Sequence, residues 1–430
     1  MALTPGAAAD DPRTSSAAGA SPPPLLGAAF EALDATGIYW LVLPADASAL
    51  DRDCDLDLLV ESDAVSSADA ALRSIGFAAL PSVGRGRHRC FLGYDDHSRM
   101  WVRLDVTDSV DFGRHRELTT ATAPELLDRR VRSSDHYRLR VDDAFWHLLL
   151  HRLLSGREVP SDDLVRLSQR SRSTGPLADL ASRGATSSAE WLELVRRGEW
   201  QRVGSLRPAF VRAWRRKHRY APFLADARDA SRRVTRALRS AARPSGISVA
   251  IIGPDGAGKT TLADGLRATL PVPSAYVYMG VWREYPWDRW LRYIPGARLA
   301  QRMLRLIARS AQARFQRARG RLVLLDRFTY DVLLPSPELD RRGRATAALV
   351  RRIGTEPQLV LVLDAPAEVM FARKGEQGID ELERRRLSYL DIARTRADSA
   401  VIDATQAIAV VREEAHRAVW ARLRRHWTGT

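Results

Sequence analysis

The chain has 430 residues, 45% of them hydrophobic, and a formal net charge of +15; a length of this order suggests two to three domains, each able to bury a core. Its apolar runs stop short of the ~20 residues that cross a bilayer, its two cysteines, Cys54 and Cys90, are too few for a disulfide framework, and a cytoplasmic protein is expected. The charge is uneven: residues 1–130 carry 12 Lys and Arg against 20 Asp and Glu, a net −8 that leaves +23 for the rest, and such asymmetry argues for separate modules. Arginine outnumbers lysine 64 to 3. Single arginines are therefore uninformative, and the basic balance does not by itself point to nucleic acid.

Residues 1–25 mix Ala, Pro, Ser and Gly with Asp10 and Asp11; they lack the basic start and apolar block of a signal peptide and read as a disordered tail. Over 26–122, short apolar strands at 39–43, 56–60, 89–93 and 101–106 alternate with a helical stretch at 64–75, the pattern of a small α/β domain. Asp55-Leu56-Asp57 enters the second of these strands with both carboxylates on one face, and Trp101-Val102-Arg103-Leu104-Asp105 supplies a third at the end of another. Three convergent carboxylates can hold a pair of Mg2+ ions. The arrangement resembles the nucleotidyltransferase superfamily, in which an Asp-x-Asp pair and a later Asp bind metal during nucleotide transfer. The resemblance implies metal ligation by Asp55, Asp57 and Asp105. The superfamily's upstream Gly-Ser or Gly-Gly turn is missing, its place taken by Val42-Leu43-Pro44-Ala45-Asp46. An active transferase, a degenerate domain kept for binding, and a coincidental acidic turn all stay open.

From 123 to 243 strand signals vanish and the segments 142–154 and 187–197 show helical apolar spacing, so an all-helical region and basic linker are expected. His147 and His151 stand at i, i+4 with no matching Cys or acidic motif nearby, and with His88 they read as structural rather than metal-binding. The Arg-rich amphipathic stretch 210–243 closes with Arg243-Pro244-Ser245-Gly246, helix-stopping chemistry that marks the last boundary. No base-reading motif accompanies the basic stretch, and no specific nucleic acid partner is expected.

The domain at 244–430 alternates strands at 247–252, 275–278, 321–325, 358–363 and 400–402 with helices, which implies a parallel sheet with flanking helices. Its first strand runs into Gly253-Pro254-Asp255-Gly256-Ala257-Gly258-Lys259-Thr260-Thr261, a complete phosphate-binding loop opening a helix. The glycines let successive N–H groups and the helix N-terminus face phosphate oxygens, and Lys259 neutralises the β and γ phosphates. A planar guanidinium would not substitute for that compact ammonium, and Lys259 is one of only three lysines in the chain. Thr260 is placed to ligate Mg2+, and Asp326, directly after the apolar run 321–325, fits the acidic group that holds the ion from a neighbouring strand. ATP and Mg2+ are the expected cofactors.

The phosphate-binding loop, Asp326-Arg327-Phe328 and Val401-Ile402-Asp403 stand in the order seen in thymidylate kinases, and the C-terminal 185 residues resemble that family. The resemblance implies a P-loop kinase fold in which Asp255 lies near the acceptor and Arg327 reaches the transferring phosphate. It also implies a basic lid, similar to Ala372-Arg373-Lys374-Gly375-Glu376 followed by Glu383-Arg384-Arg385-Arg386 and Tyr389. Arg373 and Lys374 are the candidates for meeting charge that spreads over the phosphoryl oxygens while the lid excludes water; the alternative is an exposed helix end whose cations face the dipole. Asp403 falls where the family's adenine-side loop runs.

The resemblance stops where acceptor choice is made. The family's Ser and thymine-reading Gln are replaced by Thr329-Tyr330-Asp331-Val332-Leu333-Leu334, and between the second and third strands stands the aromatic segment 281–293, with Arg283-Glu284 inside it. Those rings either stack on a base or sugar or pack the insertion onto the domain. The helix 297–319 that follows spaces Arg298, Arg302, Arg305 and Arg309 in a stripe, with Leu299, Met303, Leu306 and Ile307 elsewhere around it. The stripe is either a solvated face, a contact for an anionic acceptor, or, with Trp287, Trp290 and Tyr293, a weak contact with anionic membrane. The expected function is ATP-dependent phosphoryl transfer to a small-molecule acceptor, a nucleoside monophosphate or a relative of one. The alternatives are a kinase of sugar or lipid-linked acceptors and an ATP-binding regulatory or scaffold protein.

Overall fold

The computed structural model describes residues 23–44, 55–81, 88–113, 118–155, 159, 161–183, 186–217, 245–279, 297–326 and 356–428. Residues 1–22 of the expected tail, most of the basic linker, Cys54, the aromatic segment 281–293, Arg327 and the segment 328–334 lie outside them. The described residues form two compact units, one from most of the residues before 218 and one from residues 78–81 and 245–428. Among the described residues no helix is long and apolar enough to cross a membrane.

Before residue 140 the chain runs α1 (Pro24–Ala35), β1 (Trp40–Val42), β2 (Asp55–Val60), α2 (Val65–Ser74), β3 (Ala78–Ala79), β4 (Arg89–Asp95), β5 (Met100–Thr107), β6 (Asp111–Phe112), β7 (Leu118–Thr119), α3 (Ala123–Asp128), β8 (Val131–Arg132) and β9 (Tyr137–Arg138). Helices α4 (Val141–Ser155), α5 (Asp162–Ser168), α6 (Pro176–Ser182), α7 (Ser188–Arg196) and α8 (Trp200–Lys217) follow. A mixed sheet is ordered β3-β4-β5-β2-β1-β9-β8, with β2 and β5 parallel at its centre. In β2, Leu56 and Leu58 are buried while Asp55 and Asp57 alternate with them on the half-exposed face, as the two-residue period of a strand requires. Ser161 and Ser187 cap α5 and α7, their hydroxyls accepting from Leu164 N and Glu190 N. The helices close over fully buried Phe145, Trp146 and Trp191. Two strands, β8 and β9, correct the all-helical expectation for 123–243: Ser133 N–H donates to the His136 carbonyl, closing a hairpin that joins the sheet beside β1. Strands of two residues are too short to show alternation in sequence.

The second unit runs β10 (Ser248–Ile252), α9 (Lys259–Thr269), β11 (Ser274–Tyr278), α10 (Ala297–Ala318), β12 (Leu322–Asp326), β13 (Leu359–Asp364), α11 (Ala367–Lys374), α12 (Ile379–Thr395), β14 (Ser399–Asp403) and α13 (Ile408–Thr428). The five expected strands are present and pair in parallel in the order β11-β12-β10-β13-β14. Every residue of β10 and β12 is buried, because helices cover both faces of a parallel sheet and leave continuous apolar runs rather than alternation. From β10 the chain builds first to one side and then to the other, so the loop after β10 opens at the topological switch point, where α/β sheets bind ligands. At the unit's far corner Trp427 Nε1 donates to the Ser245 carbonyl at 2.8 Å.

Helix α10 turns Met303, Leu306, Ser310 and Ala313 into the core, a spacing of three and four that makes one buried face. Of the cationic stripe, Arg305 and Arg309 are half-buried, and the Arg309 guanidinium sits 5.5 Å from the centre of the Tyr278 ring. The side chains of Arg298 and Arg302 lie outside the description.

Candidate nucleotide-binding site

β10 ends at Ile252, and the chain turns through residues 253–258 into α9, whose first residue is Lys259. The turn needs left-handed backbone at Gly256, φ +89°, and at Gly258, φ +94°, conformations open to glycine at little cost. Gly258 caps α9, so the first-turn N–H groups, which have no partner within the helix, are available to an anion. Lys259 is 9% exposed. Its ammonium donates to the carbonyls of Gly253 and Pro254, each at 2.8 Å, and lies 3.5 Å from Asp255 Oδ1.

A cavity of about 500 Å³ opens on this loop, within the range of small-molecule sites. Residues 255–261 line it, and so do Arg373 and Lys374 at the end of α11. The structure thus brings the phosphate-loop candidates Asp255, Gly256, Ala257, Gly258, Lys259, Thr260 and Thr261 together with the two cations read from the lid. Its remaining wall, Leu363, Ala404, Gln406, Ile408 and Val411, was not singled out in the sequence. Asp403 does not line the cavity; its carboxylate accepts from Thr405 N at 2.9 Å, Thr405 Oγ1 at 2.6 Å and Gln406 Nε2 at 3.0 Å. Those bonds hold its pKa below the ordinary carboxylate value and shape the turn whose following residues form the wall.

The elements expected to form a lid are tied down at several points. Arg373 donates to the Ala404 carbonyl at 3.1 Å, joining the end of α11 to the loop after β14. Lys374 pairs with Glu376 at 3.0 Å. Arg386 of α12 grips Asp364, the last residue of β13, at 2.6 and 3.1 Å, and bonds Glu383 at 2.8 Å; the Asp364 bonds hold its guanidinium pKa above the ordinary value. The loop also packs on α11 without slack, since a Cβ at Gly256 would stand 2.5 Å from the Met370 carbonyl oxygen.

Asp326 ends the strand beside β10, in register with Ile251, and is 4% exposed. Its Oδ2 accepts from the Tyr276 hydroxyl at 2.6 Å, and its Oδ1 is buried with no hydrogen-bond partner among the described residues. Burial first, and then the Asp326 carboxylate, push the Tyr276 phenol above its ordinary pKa. Asp326 is not among the residues that line the cavity; an exposed Thr260 on the cavity and, at the end of the strand beside β10, a carboxylate with one oxygen unbonded among the described residues are the donor types a phosphate-bound Mg2+ requires. Arg327 lies outside the described residues.

In the first unit, Asp57 and Asp105 stand opposite one another across β2 and β5, whereas Asp55 stands opposite Arg103 and pairs with it at 3.3 Å. Two of the three candidate carboxylates are brought together and the third is taken by an arginine on the adjacent strand. His88, its side chain 7% exposed, lies 3.4 Å from Asp105 Oδ1 and 3.5 Å from Asp111 Oδ2. Among the described residues no group of three His, Cys, Asp or Glu is placed to hold a metal ion. His147 packs on Phe112 and His151, and burial, with a smaller contribution from His151, depresses its pKa to about 3.

Residues 227–419 match the family described as an AAA ATPase domain. The chain is 30% identical over 207 residues to the thymidylate kinase of Xanthomonas euvesicatoria pv. vesicatoria (strain 85-10), covering 42% of this chain and 86% of that protein. It is 31% identical over 199 residues to the thymidylate kinase of Xanthomonas campestris pv. campestris (strain B100), with 42% and 86% covered. To that of Pseudomonas putida (strain GB-1) it is 30% identical over 207 residues, with 40% and 93% covered.

Proposed function

Through its C-terminal half the chain belongs to the thymidylate kinase family, and on that premise we propose that it is an ATP-dependent phosphotransferase acting on a nucleoside monophosphate or a related small acceptor. The observation that carries this reading is that one cavity is lined both by residues 255–261 and by the cations Arg373 and Lys374. A phosphate-binding loop alone serves binding; cations presented with it serve the transition state, in which charge spreads over the transferring phosphoryl oxygens.

Loop amides and Lys259 would hold the donor phosphates, the ammonium exchanging its carbonyl partners Gly253 and Pro254 for phosphate oxygens. The apolar Ile408 and Val411 would offer the donor base a wall. Thr260 and Asp326 would hold Mg2+, and the ion would supply positive charge against the charge that develops on the phosphates. Asp255 would orient the acceptor, and Arg327 with Arg373 would meet the group in flight. The test is ADP formation from Mg·ATP by the purified chain with dTMP and a panel of other nucleoside monophosphates. Acceptor-dependent ADP production that Lys259→Ala abolishes is the expected result, and undiminished turnover by a folded Lys259→Ala variant would reject the site.

Two observations favour further readings. The match to an AAA ATPase domain supports a nucleotide-driven regulatory protein, which would yield ADP without any acceptor or bind ATP without turnover. The facing pair Asp57 and Asp105 supports a nucleotidyltransferase-like role for the first unit, in which case Asp105→Asn would abolish a nucleotide transfer that survives Lys259→Ala.

A further inference from the structure

The chain motif locates Asp326, but what orients its carboxylate is a side chain from another strand. β11 and β12 run parallel with Tyr276 opposite Leu324 and Tyr278 opposite Asp326, so Tyr276 and Asp326 emerge on one face of the sheet. The phenol donates to Oδ2 at 2.6 Å, the length of a strong charge-assisted O–H···O bond. The tyrosine is itself restrained, with the Arg267 guanidinium 5.7 Å from its ring centre. The other carboxylate oxygen is left buried and without a hydrogen-bond partner among the described residues. A buried unmet acceptor is destabilising, and one fixed oxygen beside one without a partner among the described residues, at the end of the strand next to the phosphate-binding loop, fits a metal-holding group set by a second residue.

We propose that Tyr276 is a positioning residue for phosphoryl transfer: its hydroxyl pins Oδ2 of Asp326 so that Oδ1 is presented to the divalent cation that accompanies the nucleotide phosphates. The inference rests on the reading of this site as a Mg·nucleotide phosphotransferase. Tyr276 touches neither nucleotide nor acceptor; it acts through Asp326. Phenylalanine retains the ring and removes only the hydroxyl, leaving the carboxylate free to rotate.

The test is calorimetric titration of the full chain with ADP, once in MgCl2 and once in EDTA, for the parent, Tyr276→Phe, Asp326→Asn and the double variant. The expected result is that Tyr276→Phe lowers the Mg2+-dependent gain in ADP affinity about 10-fold, the low end for loss of a residue that orients a metal ligand, while affinity in EDTA is unchanged. In the Asp326→Asn background the same substitution should have no effect. An unaltered Mg2+-dependent gain in Tyr276→Phe, or an equal loss with and without Asp326, would overturn the proposal whatever happened to thermal stability. Failure of the parent to transfer phosphate while still binding Mg·ADP would instead refute the kinase reading and leave the Tyr276 result readable.

Discussion

The close packing of the phosphate-binding loop on α11 can be isolated with a pair of glycine substitutions. Gly256 and Gly258 have nearly the same backbone, φ +89° and +94°, but a Cβ at Gly258 meets nothing within 4 Å, whereas one at Gly256 stands 2.5 Å from the Met370 carbonyl oxygen. Alanine at Gly258 therefore brings only the cost of left-handed backbone, about 1–2 kcal/mol, which reaches ATP affinity as a loss of at most roughly 10-fold, when the free loop relaxes and must be restored on binding. At Gly256 the same cost applies, and a carbon–oxygen contact needs about 3.3 Å, so loop and helix must separate by about 0.8 Å. Met370 is fully buried in α11 and has little room to retreat. The loop must give way, and displacement on the scale of 1 Å costs about 100-fold where geometry governs binding and transfer. ATP titration of both variants, with circular dichroism and Tm to confirm folding, should give losses of at most roughly 10-fold for Gly258→Ala and at least about 100-fold for Gly256→Ala. Equal losses, or a larger loss at Gly258, would refute the argument that α11 braces the loop.

The acid response of the second unit should trace to His416, whose imidazole is buried against Thr269 Oγ1 at 2.9 Å and whose pKa burial lowers to about 4. Because the unfolded chain binds that proton near pH 6.5 and the folded chain only near 4, stability should be full above pH 6.5 and fall as pH drops toward 4. Chemical denaturation should show about 2 kcal/mol less loss between pH 7 and 5 in His416→Gln than in the parent. Asp364→Asn weakens the grip of Arg386 on the end of β13; the pair is partly solvated, so a loss of about 1 kcal/mol is expected in thermal melts, with weaker ATP binding if α12 then shifts. Unchanged ATP affinity in that variant would show that the clamp serves the fold alone.

What could be seen in the sequence was what is contiguous in it. The run from β10 through Lys259 into α9 carries its strand, glycines and helix within a few turns of chain, and Asp326 closes its own apolar strand. Contacts made across the sheet left no such trace. Tyr276 reads as one more aromatic in a short strand, and only pairing with a residue 50 positions away gives its hydroxyl a role. The same holds for Arg103, which stands opposite Asp55 through strand register and draws it from the carboxylate pair. Asp403, expected beyond the last strand, is instead the final residue of β14, and its short side chain bonds its own turn and leaves the cavity wall to uncharged neighbours. In α10 the arginine spacing was conspicuous in sequence, whereas burial follows the quieter series Met303, Leu306, Ser310 and Ala313.

The bond from Trp427 to the Ser245 carbonyl has a consequence for how this unit is carried within a longer chain. It joins points 182 residues apart, bringing the entry and exit of the second unit to one corner, the arrangement that lets a domain be inserted or circularly permuted. The described strands and helices between those two points therefore start and finish side by side, which lets this half be moved as one piece between proteins.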